Sequence, residues 1–158
     1  MEKIGFWKVS DDYGEFSNWY LCSFVFMGVR FHSSEQALMW FKARRFEDIE
    51  IAEKILKTDN QAEIKKLGRQ VKNYNEEIWS SIRFDVMRNI LYFKFSQNPI
   101  LRDKLISTGD ADIYETSPYD KIWGIGSTDV HDIKGKNLLG KALMEIRATL
   151  RWEKTGAL

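Results

Sequence analysis

Apolar and polar positions change their rhythm along this chain, and each change marks an element. Over the first 32 residues aromatic and polar positions alternate: Phe6-Trp7-Lys8-Val9, the turn-forming Asp11-Asp12-Tyr13-Gly14, then Phe24-Val25-Phe26-Met27-Gly28-Val29-Arg30-Phe31. A period of two predicts two or three short strands. From Ser33 the period lengthens. Ser33-Ser34-Glu35-Gln36 reads as a capping box, with the Ser33 hydroxyl accepting from the Gln36 N–H while the Gln36 side chain reaches back. A helix follows through Ala37, Leu38, Trp40 and Phe41 to Arg45. Ile49, Ala52, Ile55 and Leu56 predict a second helix, and Ala62, Ile64 and Leu67 a short third that stops at Gly68. Asn75 opens the longest helix, whose face runs through Ile78, Trp79, Ile82, Val86, Met87, Ile90, Leu91 and Phe93 to Phe95.

Pro99 suits the first turn of the next helix, which carries Leu101, Leu105 and Ile106 before the Thr108-Gly109 stop. Ile113-Tyr114-Glu115-Thr116 is a short strand, Ser117 to Lys136 a loop, and Asn137 the start of a last helix with Leu139, Ala142, Leu143, Ile146 and Leu150. A loop of that length in a small domain is more often functional than idle. The expected fold is mainly α within an α+β class: one helical domain over residues 1–158 with a small β-sheet from the N-terminal strands.

Composition narrows the partners. The 158 residues include 24 basic and 23 acidic side chains, a formal net charge of +1. A protein that grips nucleic acid through many phosphates carries a cationic surplus, so a broad nucleic-acid surface is excluded. The aromatic share is 14% and includes six tryptophans, more than a core of this size needs. Cys22 is the lone cysteine, so no disulfide forms within the chain. The longest apolar stretch, Phe24 to Val29, is too short to span a membrane. These features predict a soluble, cytoplasmic protein.

Several familiar motifs fail on inspection. Gly124-Ile125-Gly126 has Asp129 where a dinucleotide fingerprint needs its third glycine, and Gly135-Lys136-Asn137 lacks the hydroxyl residue of a phosphate loop. His32 and His131 have no second ligand at metal spacing. No metal is expected. What remains is three polar segments. Glu35 and Lys42, seven residues apart, share a helix face. Leu67-Gly68-Arg69 is followed by Trp79 and Arg83 one turn apart, and Asp120 and Trp123 lie in the glycine-bearing loop. Each alone is equally well a cap, a solvated charge or a core residue.

Taken in order these segments resemble a known family. Phe16-Ser17-Asn18-Trp19, Phe31-x-Ser33-Ser34-Glu35 with Lys42, Leu67-Gly68-Arg69, Trp79 with Met87-Arg88 and Lys94-Phe95, Asp120-x-x-Trp123-Gly124, and Gly135-Lys136-Asn137-x-x-Gly140 with Leu143-Met144-x-x-Arg147 are similar to the YbiA-like, or NADAR, pattern. The resemblance implies an N-glycosidase that cleaves the bond between a ribose phosphate and a base with no metal and no organic cofactor. It further implies Glu35 and Asp120 as the catalytic carboxylates, and Asn18, Lys42, Arg69, Trp79 and Trp123 as substrate-binding residues. The implied partner is a small nucleotide-like substrate, such as a ribosylamino-pyrimidine of the riboflavin route, or a single ADP-ribosylated guanine in nucleic acid, the latter preferred. A non-catalytic ADP-ribose or NAD binder is the alternative. One departure stands out: many members carry His directly after the helix-entry Glu, whereas this chain has Gln36.

Overall fold

A computed structural model of the chain describes residues 2–156. The elements run β1 (Lys3–Phe6), a 3-10 turn (Gly14–Phe16), β2 (Phe24–Phe26), β3 (Val29–Phe31), α1 (Ser34–Arg45), α2 (Ile49–Leu56), α3 (Gln61–Gly68), α4 (Glu76–Ser96), α5 (Pro99–Ser107), β4 (Asp112–Glu115) and α6 (Leu138–Thr155). Helix dominates and the strand content is small, so the α+β class read from the sequence holds. The strands form two separate ribbons: β1 pairs with β4 in parallel, and β2 pairs with β3 as an antiparallel hairpin. None of the described helices is long and apolar enough to cross a membrane.

Contacts gather into two units, one built from both chain ends (1–20 and 95–158) and one from the middle (21–94). In the first, β1 and β4 run in register from Lys3 opposite Asp112 to Phe6 opposite Glu115, and Thr116 N–H donates to the Phe6 carbonyl at 2.7 Å. Phe16 sets its ring edge-on to Phe6 and Phe95, with centroids 5.9 and 6.0 Å away. Helix α6 lies against β4 because Gly140 has no side chain: a Cβ there would sit 2.1 Å from the Ile113 carbonyl oxygen. Asn137 stands directly before α6, as the sequence predicts, with φ 53° and no side-chain cap. Its amide instead donates to the Ile113 carbonyl at 2.9 Å and accepts from Glu115 N–H at 3.1 Å. That bridge explains why Asn stands before this helix without capping it.

In the middle unit, side-chain caps start the helices, those of Ser33 and Asn75 as the sequence predicts and those of Asp48 and Asn60 in addition. The Ser33 hydroxyl accepts from Gln36 N–H at 3.0 Å, Asp48 from Ile51 N–H at 3.2 Å and Asn60 from Glu63 N–H at 3.0 Å. Asn75 likewise accepts from Ile78 N–H at 3.0 Å and starts α4. Gln36 reaches back one residue further than an ordinary capping box, accepting from His32 N–H at 2.8 Å. Phe24, Phe31, Leu38, Ile55 and Ile64 are fully buried beside Trp40, whose ring lies 5.3 Å from that of Phe31. Two charged side chains, Arg83 and Lys94, are buried along α4 among its apolar positions.

Candidate functional site

The middle unit assembles a charged cluster around Lys42. Two turns separate it from Glu35, which sits half-buried in the first turn of α1. A carboxylate is favoured there by the positive end of the helix. Helix α3 ends in carbonyls with no partner inside the helix, and the Lys42 ammonium donates to one of them, that of Gly68, at 2.8 Å. The same Nζ stands 4.4 Å from the centroid of the Tyr74 ring. Burial pushes the Lys42 pKa down from its ordinary value, the Arg69 guanidinium pushes the same way, and the carboxylates of Glu35 and Glu76 oppose both. Lys42, Glu35, Arg69 and Glu76 therefore share one electrostatic neighbourhood.

The rest of the cluster follows from the entry to α4. The Tyr74 hydroxyl donates to the Glu76 carboxylate. Burial, followed by that bond and the carboxylate charge, raises the Tyr74 pKa to about 12. Glu76 also pairs with Arg83 Nη1 at 3.5 Å, while the buried Arg83 Nε has no hydrogen-bond partner among the described residues. Arg69 directly follows α3, is exposed, and forms no ion pair among the described residues. A guanidinium placed so is open to an incoming anion.

The end-built unit carries the other expected residues. Asn18 is buried in the turn after Phe16, where Ser17 Oγ accepts from Trp19 N–H at 3.1 Å. Asp120 Oδ1 accepts from the N–H groups of Ile122 and Trp123, at 2.9 and 2.8 Å, and so shapes the turn that holds the half-buried Trp123. The 117–136 loop has no regular secondary structure, yet it is well tied. Ile122 and Trp123 carbonyls accept from Leu138 and Leu139 N–H at 3.1 and 3.0 Å, which occupies donors at the start of α6. Gly135 lets the loop close: a Cβ there would lie 2.4 Å from the Gly124 carbonyl oxygen.

Thus Glu35, Lys42 and Arg69 come together in one unit, and Trp79 lies in that unit on α4, only 5% exposed. Asn18, Asp120 and Trp123 belong to the other unit, where Asp120 bonds directly to the Trp123 backbone. Tyr74 and Glu76 lie outside the sequence motifs. One signal was present: Glu76 and Arg83 repeat the seven-residue spacing of Glu35 and Lys42. Among the described residues no group of three His, Cys, Asp or Glu side chains is placed to hold a metal ion.

The pattern of the NADAR domain matches residues 5–151. The chain belongs to the NADAR family. Among its relatives, N-glycosidase R617 of Acanthamoeba polyphaga mimivirus is 46% identical over 122 residues, covering 73% of this chain and 72% of the relative. The Escherichia coli N-glycosidase YbiA is 35% identical over 151 residues, covering 96% and 90%. Its NMR structure superposes with a TM-score of 0.83 at 33% identity, over 100% of this chain and 91% of YbiA. The riboflavin biosynthesis protein VVA0006 of Vibrio vulnificus is 34% identical over 95% of this chain, which spans only 39% of that longer protein. Within this NADAR chain, Gln36 is spent on the scaffold. Besides accepting from His32 N–H, its amide donates to the carbonyls of Ile55 and Thr58, at 3.1 Å each. Residue 36 thus ties the start of α1 to the end of α2.

Proposed function

We propose that this protein hydrolyses the N-glycosidic bond between a phosphorylated ribose and a base, with ADP-ribosylated guanine as the preferred class and ribosylamino-pyrimidine phosphates as the second. The general activity, that of a hydrolase acting on N-glycosyl compounds, rests on family membership and on relatives named N-glycosidases. The second substrate class is supported by the relative named for riboflavin biosynthesis. The observation that carries the reading is the Lys42 ammonium, which shares a face of α1 with Glu35 and is held at 2.8 Å on the carbonyl of Gly68, directly before the exposed Arg69 guanidinium.

Breaking a C1′–N bond builds positive charge on the ribose ring and negative charge on the departing base. Paired carboxylates answer both demands. Glu35 stabilises the oxocarbenium-like sugar, and Asp120 keeps the second carboxylate role that the family resemblance implies, activating water or delivering a proton to the leaving nitrogen. Arg69 and Lys42 hold phosphate, Arg69 through its two-pronged fork. By the family resemblance, Asn18 is a substrate-binding residue, and Trp79 and Trp123 stack on the base or cover it from water. The test is a panel of ribosylamino-pyrimidine phosphate, NAD, ADP-ribose and ADP-ribosylated guanine DNA, read by mass spectrometry for free base. Release of guanine from the modified DNA is expected. Tight binding without release of any base would leave a reader of ADP-ribose instead and overturn hydrolysis.

A further inference from the structure

Helix α1 has a second face that the hydrolytic reading does not use. Arg44 follows Glu35 by nine residues, which places it about 180° round the helix from the catalytic carboxylate. On that side the middle unit holds a groove of about 590 Å³. Val29, Trp40, Phe41 and Ala52 line it, together with three apolar side chains that water still reaches: Met27 at 62% exposure, Ile49 at 46% and Leu56 at 38%.

Two further features distinguish this groove from incidental surface. Met27 is the first residue of the two-residue turn joining β2 to β3, and it adopts φ 53° ahead of Gly28 at 75°. That turn type favours Asn, Asp or Gly at both positions. A methionine accepts the left-handed backbone only at some cost, and here it places a flexible thioether at the groove edge. The second feature is charge. Arg44 and Arg45 line the groove, Arg44 lies 5.8 Å from the Trp40 ring centroid, and neither has a carboxylate within ion-pair distance among the described residues. Glu53 is the one acid lining the groove, while its neighbour Glu50 is paired with Lys54 at 3.4 Å.

We infer that this groove docks an acidic amphipathic helix of a partner protein. Aliphatic and thioether groups take the apolar face of such a helix at i, i+3, i+4 and i+7, and methionine adapts to its side chains. The two unpaired guanidiniums meet carboxylates on its flank. Nucleic acid fits the groove less well: it offers two cations against one carboxylate, and its tryptophan is only 8% exposed. The site is independent of Glu35 and of the hydrolytic reading.

The probe is a fluorescein-labelled synthetic helix with leucines at i, i+3, i+4 and i+7 and glutamates along its flanks, compared with the same helix carrying lysines. Anisotropy on the intact protein is expected to show roughly tenfold tighter binding of the acidic helix, and a ¹³C-methyl signal of Met27 should shift on its addition. The double variant Arg44→Glu, Arg45→Glu should invert the preference, and Met27→Asp should remove binding of both peptides while base release continues at the wild-type rate. Absence of binding, equal binding of the two peptides, or a preference unmoved by charge reversal would overturn the proposal. So would tighter binding of a single-stranded oligonucleotide, or self-association that Met27→Asp abolishes. The Met27 shift in the unaltered protein keeps the test valid if a variant misfolds.

Discussion

Lys42 and Glu35 lie two turns apart on one face of α1, and each supports a separate prediction. Replacing Glu35 by Gln keeps the shape and removes the charge. Base release should fall by about 10²–10⁴-fold, the usual range for a general acid or base, while substrate binding stays measurable by calorimetry. Normal turnover would remove Glu35 from the mechanism. For Lys42 the sign follows from burial. Its pKa is lowered in the fold, so between that value and the ordinary 10.5 the unfolded chain holds more protons than the folded one. The cost of burying the ammonium is thus borne at neutral pH, and stability gains from this group as pH rises towards 10.5. In Lys42→Met that alkaline gain should vanish from denaturation midpoints, and the KM for a phosphorylated substrate should rise.

At the scale of elements, the joints between helices are polar and local. Asp48 accepts from Ile51 N–H at the start of α2 and from Lys72 N–H, at 2.9 Å, beyond the end of α3. The Lys72 N–H bond leads in holding its pKa below the usual 3.8, with the Ile51 bond adding to it against the opposing effect of burial. Its contribution is therefore present above the unfolded value and lost as pH falls through the folded one. Asp48→Ala should cost about 1 to 2 kcal/mol at neutral pH, with the gap to wild type closing in acid, as read by thermal unfolding. Gln36 is the other joint. Histidine, the residue that the family resemblance leads one to expect at position 36, offers one donor and one acceptor in its neutral form. It cannot serve His32 N–H and the carbonyls of Ile55 and Thr58 together. Gln36→His should destabilise the fold by about 1–3 kcal/mol through the group left unpaired and leave the substrate preference unchanged; a switch of preferred substrate would contradict the scaffold role.

For the whole molecule the governing quantity is the net charge of +1. Affinity for unmodified DNA should be weak and nearly flat against salt, because few phosphates are neutralised on binding. A steep fall in affinity with rising salt would mean a broad cationic surface and would count against recognition of a single modified nucleotide. The +1 also conceals local imbalance. Arg69 beside Lys42 and the pair Arg44 and Arg45 are cationic places on a neutral chain, and only the fold reveals which of these charges lack partners.

The sequence by itself determined the elements, because their signals are local: Ser33 and Asn75 cap the helices they precede, the spacing of apolar residues marks α2 and α3, and alternation marks β2 and β3. It placed Glu35 and Lys42 on one face, since helical spacing needs no tertiary information. It marked Asn137 as the start of the last helix but not the bonds of that side chain to β4, which lie outside the helix, and it left the pairing of β1 with β4 unread, because the two strands are separated by most of the chain. The partners of Lys42 were equally out of reach. The Gly68 carbonyl, the Tyr74 ring and the charges of Arg69 and Glu76 come from segments distant in sequence, and the packing of α1 against α3 brings Gly68 within reach of the ammonium. Burial decided the remainder: Trp79, Arg83 and Lys94 are enclosed while Met27 and Arg44 face water, and periodicity does not tell a chain which of its faces will be covered.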